Sequence, residues 1–123
     1  AVFIKAMVPN LYGAKAKTEQ QDELMMHIDM ALQIPAISLQ AYYRAMIERP
    51  DRTAVLISAN FPVQFIIGME DNAVLPADAI AQSALPVISD VHLLPQVGHT
   101  SMIEATGELN SMINSFCKYL LKR

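Results

Sequence analysis

Tryptophan is absent from the 123-residue sequence, and cysteine and glycine are scarce, with one and four residues. A single thiol, Cys117, cannot close a disulfide within the chain, so a disulfide-stabilised secreted domain is excluded and a reducing, cytoplasmic location is favoured. Because Cys117 has apolar helical neighbours, we expect a small buried residue rather than a nucleophile or a ligand. The sequence contains no glycine-rich phosphate-binding loop, so nucleotide binding has no support.

Positive charge and long apolar runs are also scarce. Nine Lys and Arg residues against twelve Asp and Glu residues give a net charge of −3 at pH 7, and the basic residues are scattered. Such a chain does not attract a phosphate backbone, so we expect no nucleic-acid partner. No apolar run approaches the roughly 20 residues of a membrane-spanning helix, and the opening AVFIKAMVP is too short for a secretory signal. We therefore expect a soluble protein with no membrane partner.

The hydrophobic content of 53% and charged content of 17% predict a globular domain with a core, and its first half has helical periodicity. We predict a helix over residues 18–34, starting with Thr18 and Gln21 at the spacing of a capping box. A second helix is predicted over residues 35–49, and Asp51 is expected to cap a short third helix. Residues 1–57 are therefore predicted to form a helical cap. Several side chains in this layer could line an apolar substrate pocket, but we expect them to serve mainly in helix packing; they are Met25, Met26, Met30, Tyr42, Tyr43 and Met46.

The second half, residues 58–123, has a different pattern. PVQFIIG predicts a buried parallel strand, ADAIAQSAL a helix and residues 87–94 a second strand, followed after QVGHT by a long helix over residues 101–121. Strands that alternate with helices predict a parallel sheet with crossover connections. The fold class is therefore α/β, with the boundary between the two halves expected between Ile57 and Pro62.

Asp71 and His99 are the candidate site residues. Each lies in a loop that follows a predicted strand, and such loops meet at the carboxyl edge of a parallel sheet. Neighbouring strands are about 5 Å apart, so one side chain from each loop can reach the other. A carboxylate can then orient an imidazole and stabilise the imidazolium that forms when the ring removes a proton. Glu70 is a rival for the acid if the loop is turned differently.

Two segments resemble the α/β-hydrolase family. PVQFIIGMEDNAVLP is similar to the segment in which a strand ends in G-x-x-D, and LLPQVGHTSMIE is similar to the segment in which a strand is followed by G-H. Asp71 precedes His99 by 28 residues, in the order in which this family places acid and base. YYRAMIERPDRTAVL resembles the stretch that joins cap and core in small esterases and carbon-carbon hydrolases. The resemblance covers roughly residues 50–123.

The resemblance implies a partial α/β-hydrolase fold, comprising a helical cap segment and the last two strands of the core. It also implies that Asp71 is the triad acid and His99 the base, acting on a small apolar ester or related carbonyl substrate without a metal or an organic cofactor. Esterase, lactonase, carbon-carbon hydrolase, haloperoxidase and dehalogenase chemistries all remain open. Three further residues have structural explanations: Glu104 as a first-turn carboxylate at a helix dipole, and His27 and His92 as packing or surface side chains.

The nucleophile of the triad is missing from the sequence. The glycines at 13, 68, 98 and 107 do not frame a serine as G-x-S-x-G requires, and Ser101 lies too close to His99 along the chain to act as one. We therefore expect residues 1–123 to be inactive alone, and to associate with the missing N-terminal half or with further copies through exposed sheet edges. Two alternatives are a complete noncatalytic interaction module and an unrelated helical ligand-binding domain, which would hold Asp71 and His99 far apart.

Overall fold

The structure is a computed structural model that describes residues 2–122. Its first half is helical and its second half alternates strands and helices, as the sequence predicts. The elements are α1 (Val2–Met7), a 3-10 helix (Val8–Leu11), α2 (Ala14–Glu19), α3 (Gln21–Leu32), α4 (Ala36–Ile47), α5 (Thr53–Ile57), β1 (Val63–Gly68), α6 (Pro76–Ser83), β2 (Ser89–Leu94), α7 (Ser101–Glu104) and α8 (Thr106–Leu120). Among the described residues, no helix is both long and apolar enough to cross a membrane.

The two strands pair in parallel, which confirms the predicted α/β arrangement. The register runs from Val63 opposite Ser89 to Gly68 opposite Leu94, with α6 as the crossover helix. β1 is fully buried only at its last two residues, so the prediction of a buried strand holds at the end that leads into Asp71. The parallel pairing brings the ends of β1 and β2 to the same edge.

The two faces of β2 differ in how they are covered. Along this strand, one set of alternating side chains is partly or fully buried, whereas Val91 and Leu93 on the opposite face are exposed. Gln64 of β1 connects the covered face to α8, because its amide donates hydrogen bonds to Asp90 (2.8 Å) and to the carbonyl of Met112 (3.2 Å). One face of the sheet therefore contacts α8, and on the other face the side chains of β1 are covered while Val91 and Leu93 of β2 are exposed.

The main apolar cluster lies where the N-terminal helices meet the loop after β2. Ile103, although it belongs to α7, packs against the cluster. No element before residue 18 is predicted from the sequence, yet this segment supplies most of the cluster, and Tyr12 is completely buried. Local periodicity did not reveal these elements because Pro9 and Gly13 divide the segment into very short helices. The buried members of the cluster are Ile4, Val8, Tyr12, Ala16 and Ile28.

Two predicted helices are interrupted. The helix predicted over residues 18–34 is broken at Gln20, whose φ of −124° and ψ of 47° are not helical. The predicted capping box is wrong, because Thr18 lies inside α2 and its hydroxyl donates to the carbonyl of Lys15. The long C-terminal helix is broken at Ala105, with φ of −139° and ψ of 43°.

Side-chain environments depart from the sequence predictions in two places and agree in part in a third. Cys117 is exposed on α8, so the expectation of a buried thiol is wrong. Tyr42 is also exposed, whereas Tyr43 makes an edge-to-face contact with Phe3 at 5.7 Å between ring centroids. The expectation that Asp51 caps α5 is met in part: Arg52 stands at the cap position, but the carboxylate of Asp51, one residue earlier, accepts hydrogen bonds from the amide and the hydroxyl of Thr53.

Candidate active site

Asp71 and His99 meet at the carboxyl edge of the sheet. Asp71 follows the end of β1 by three residues and His99 follows the end of β2 by five, and Nδ1 of His99 lies 2.8 Å from Oδ2 of Asp71. The structure thus joins two residues that are 28 positions apart in the chain. This contact rules out the unrelated helical domain, which required the two residues to lie far apart.

The Asp71 carboxylate is stabilised in its charged form. Its Oδ1 accepts hydrogen bonds from the amides of Ala73 (2.7 Å) and Val74 (2.9 Å), while Oδ2 faces His99. Burial acts to raise the pKa of Asp71, but the amide of Val74, the His99 ring and the amide of Ala73 together outweigh it, so the pKa is lower than usual. Asp71 is therefore an anion at neutral pH and can only accept a hydrogen bond.

The protonation pattern of the His99 ring follows from that anion. Because Asp71 cannot donate, Nδ1 of His99 carries the shared hydrogen and, in the neutral ring, Nε2 keeps a free lone pair. The His99 side chain is 43% exposed while that of Asp71 is only 12% exposed. A cavity of about 230 Å³ that Gly68, Asp71, His99 and Ser101 help to line opens beside them. The arrangement places the His99 ring beside this cavity and shields the Asp71 carboxylate from water.

Glu70 is turned away from His99. Its Oε2 accepts a 2.6 Å hydrogen bond from the amide of Ala14, at the start of α2. The structure therefore pairs the histidine with Asp71 and gives Glu70 a different contact. A sequence cannot separate two adjacent carboxylates in one loop, because the direction of each side chain depends on the tertiary partner that it meets.

Glu104 makes more contacts than a helix-dipole carboxylate would. It accepts hydrogen bonds from the amides of Gly13 (2.8 Å), Gly98 (3.1 Å) and Thr100 (3.2 Å) and from the hydroxyl of Thr100 (2.8 Å). Two of these amides flank His99. The dipole explanation is therefore insufficient. In the sequence, the presence of an acidic residue five positions after His99 is the available sign of this role. The backbone amides that Glu104 would meet could not be predicted.

The chain also contributes an unanticipated backbone contact to the site. The amide of His99 donates a 2.7 Å hydrogen bond to the carbonyl of Leu11, in the N-terminal segment. Gly98 allows this approach, since a Cβ atom there would lie 2.6 Å from the same carbonyl oxygen. The only sequence signal was the glycine before the histidine.

The remaining candidate residues have other surroundings. His27 on α3 is bonded to the buried Tyr12 hydroxyl at 3.0 Å, which agrees with a packing role. His92 on β2 lies 3.0 Å from Asp90, so it has an acidic partner that the sequence analysis did not foresee. Within residues 2–122, no group of three or more His, Cys, Asp or Glu side chains could hold a metal ion.

Comparison with known proteins shows similarity in structure alone. No protein-family model and no curated protein matches the sequence. A thermophilic esterase from Thermogutta terrifontis superimposes with a TM-score of 0.89 at 21% identity, over 97% of this chain and 44% of the esterase. A bromoperoxidase from Bacillus anthracis gives 0.80 at 18% identity, over 95% and 43%, respectively. Est816, described as an N-acyl homoserine lactone degrading enzyme, gives 0.76 at 19%, over 93% and 47%.

The chain spans less than half the length of each of these solved structures. All three are enzymes of the α/β-hydrolase fold, and the superposition extends through both the helical half and the two-stranded half of this chain. The chain therefore has the fold of the C-terminal part of an α/β-hydrolase.

Proposed function

We propose that this chain supplies the acid and the base of a catalytic triad to a serine-type hydrolase that acts on carboxylic esters or related carbonyl substrates. The observation that carries the proposal is the 2.8 Å contact between His99 and Asp71 at the carboxyl edge of the sheet. The esterase and the lactone-degrading enzyme among the similar structures support acyl transfer as the chemistry. We call the protein that joins these residues to an upstream nucleophile the intact hydrolase.

In the proposed mechanism a serine outside residues 1–123 attacks the substrate carbonyl. Nε2 of His99 removes the serine proton as the carbon-oxygen bond forms, and the resulting imidazolium is stabilised by the Asp71 anion. His99 then returns this proton to the leaving alkoxide, which departs as the alcohol. In the second half of the cycle His99 takes a proton from water, hydroxide attacks the acyl-enzyme, and the serine is released with its proton restored.

The exposed methionines of the helical half favour a small apolar molecule as the substrate. Met25, Met26, Met30 and Met46 are exposed on α3 and α4, so they do not serve the core as the packing explanation requires. Methionine is flexible and polarizable and adapts to apolar ligands of different shape. We propose that these side chains face the substrate or the rest of the intact hydrolase.

Replacement of His99 by Ala in the intact hydrolase tests the proposal. Loss of the base should lower kcat for p-nitrophenyl acetate by about 10⁴–10⁶-fold, and Asp71→Asn should lower it by about 10⁴-fold. His92→Ala is the matched control, because it removes a histidine that also has an aspartate partner, at 3.0 Å, but lies on β2 away from the catalytic loops. Ester turnover of His99→Ala within a few fold of the unaltered protein would contradict the proposal.

A second measurement concerns residues 1–123 alone. Because the nucleophile and the oxyanion-binding amides lie elsewhere in this proposal, the polypeptide should show neither a burst nor steady turnover of the same ester. Turnover that His99→Ala abolishes would show that the nucleophile lies within these residues.

A further inference from the structure

Two carboxylates accept the backbone amides at the start of α2, one from the loop after β1 and one from the end of α7. Oε2 of Glu104, from the histidine side, accepts the amide of Gly13 at 2.8 Å, and Oε2 of Glu70, from the aspartate side, accepts the amide of Ala14 at 2.6 Å. We call Glu70 and Glu104 the carboxylate clamp. The amides at a helix start lack partners within the helix, and anions there are favoured by the helix dipole.

On the histidine side, all three backbone amides around His99 donate hydrogen bonds. The amides of Gly98 and Thr100 both donate to Glu104, and the amide of His99 between them donates to Leu11. Three consecutive amides are thus held by partners outside the loop. The position of the His99 backbone therefore depends on Glu104 and on the N-terminal segment.

On the aspartate side the clamp residue precedes Asp71 directly. The amide of Glu70 donates a 2.9 Å hydrogen bond to the carbonyl of Val97, so the two loops are also bonded to each other. Gly13 permits the close approach of α2, since a Cβ atom there would lie 2.5 Å from the carbonyl oxygen of Gln96. One helix start thus contacts both loops at once.

We propose that Glu70 and Glu104 are positioning residues that set the distance between Asp71 and His99 by bridging both loops to α2. This inference rests on the proposed function. The sheet fixes only where each loop begins, at Gly68 and Leu94. The side chains that meet lie three and five residues beyond, where loop backbone is free to move unless it is bonded. A displacement of about 1 Å in a catalytic group can cost 10²-fold in rate.

The test uses Glu104→Gln and Glu70→Gln in the intact hydrolase. Glutamine keeps the shape but offers one acceptor oxygen, and its NH₂ group meets a backbone donor if it replaces the bonded oxygen. Each variant should lower kcat per active site roughly 10-fold with KM changed less than about threefold, because the base is displaced while substrate contacts remain. A covalent serine inhibitor counts the active sites, so loss of folded protein does not imitate the effect.

A spectroscopic readout separates positioning from general destabilisation. We expect the proton shared by His99 and Asp71 to give a far-downfield NMR signal in the unaltered protein. This signal should broaden or shift in both variants while the fold remains intact. Glu108→Gln is the matched control, because it alters an exposed glutamate in the first turn of α8 and should change neither kcat nor this signal.

Three results would decide the inference. If His99→Ala abolishes turnover but both clamp variants keep kcat within twofold and keep the downfield signal, the clamp is overturned and the proposed function stands. If His99→Ala leaves turnover intact, both fall. If a clamp variant does not fold, hydrogen exchange in the unaltered protein decides: slow exchange of the Gly13, Gly98 and Thr100 amides supports the clamp, and rapid exchange overturns it.

Discussion

His99 is restrained at its ring and at its backbone by different parts of the chain. Asp71 holds Nδ1, and Leu11 accepts the backbone amide. The contact of the ring with Asp71 joins loops that follow two adjacent strands. The contact of the backbone amide with Leu11 instead joins the loop after β2 to the N-terminal segment. If His99 is the base, as we propose, its rigidity requires packing between segments that are distant in sequence.

Gly98 leaves no room for a side chain in this packing. A Cβ atom there would lie 2.6 Å from the carbonyl oxygen of Leu11 and 2.7 Å from the amide nitrogen of Gly13, so backbone must move to admit it. We predict that Gly98→Ala lowers the free energy of unfolding of the intact hydrolase by about 1–3 kcal/mol or more, measured by urea denaturation.

Gly107→Ala is the control for Gly98→Ala. A Cβ atom at Gly107 meets nothing within 4 Å, and the residue lies inside α8. The substitution should raise the free energy of unfolding by up to roughly 0.5–1 kcal/mol, because alanine favours helix. Equal destabilisation by both substitutions would show that the packing at Gly98 has no special role.

Asp71 makes the stability of the protein depend on acidity. Its pKa in the folded state is lower than the model-compound value of 3.8, so its charged form stabilises the fold above that pH. We predict that Asp71→Asn destabilises the protein at pH 7 and pH 5, and that the difference from the unaltered protein shrinks as the pH falls below about 4 toward the folded-state pKa. Urea unfolding at several pH values measures this difference in the free energy of unfolding. Asp29→Asn on the exposed surface of α3 is the control. A difference that is constant down to pH 2 would contradict this prediction.

Asp71 and His99 are predictable from the sequence as candidates, but the residues that hold their loops are not. The pair follows two strands whose apolar patterns are visible in the sequence, so their meeting follows from parallel pairing. Glu70 and Glu104 were visible as charges, but their partners are backbone amides of Gly13 and Ala14. Every residue except proline has such an amide, so no residue type marks the ones that a carboxylate will meet.

At the scale of elements, helix breaks were harder to predict than helices. Gln20 and Ala105 interrupt apolar periodicity that continues on both sides, and neither is glycine or proline. The break at Ala105 follows Glu104, whose carboxylate is committed to the His99 loop. Tertiary contacts thus override helix propensity, which is worth less than about 1 kcal/mol per residue.

Gln64 is the polar side chain through which β1 contacts α8. Its amide donates to Asp90 and to the carbonyl of Met112. We predict that Gln64→Met, of similar size, lowers the free energy of unfolding by about 1–3 kcal/mol, the sum for two hydrogen bonds of ordinary strength. Gln40→Met on the exposed surface of α4 is the control. A change at Gln64 that is no larger than at Gln40 would mean that these bonds do not stabilise the packing.

At the scale of the whole molecule, the sheet has too few strands to cover itself. Val91 and Leu93 are exposed on one face of the sheet. In a sheet of two strands, the outer edge of each strand also has no neighbouring strand to pair with. We predict that the polypeptide of residues 1–123 is ordered only as a homo-oligomer or in a noncovalent complex with the rest of the intact hydrolase. Light scattering at micromolar concentration measures this, and an ordered monomer without a second polypeptide would contradict it.

Coexpression with the missing half provides a second test of the same prediction. A polypeptide that supplies the upstream strands should bind residues 1–123, and Val91→Asp together with Leu93→Asp should weaken the association, because charge on a face that becomes buried is costly. The matched control is Tyr42→Asp, a change on the exposed surface of α4. Equal effects from the two sets of substitutions would place the contact elsewhere.

The sequence by itself determined the fold class, the alternation of strand and helix in the second half, and the acid and base candidates. These follow from local patterns, because strand hydrophobicity, turn residues and chain order are all properties of neighbouring residues. Only the tertiary structure decided that Asp71 rather than Glu70 meets His99, that Glu104 holds the histidine loop, and that the N-terminal segment packs beneath it. Those outcomes depend on backbone groups and on directions of side chains, which segments far apart in the chain determine only after they have packed.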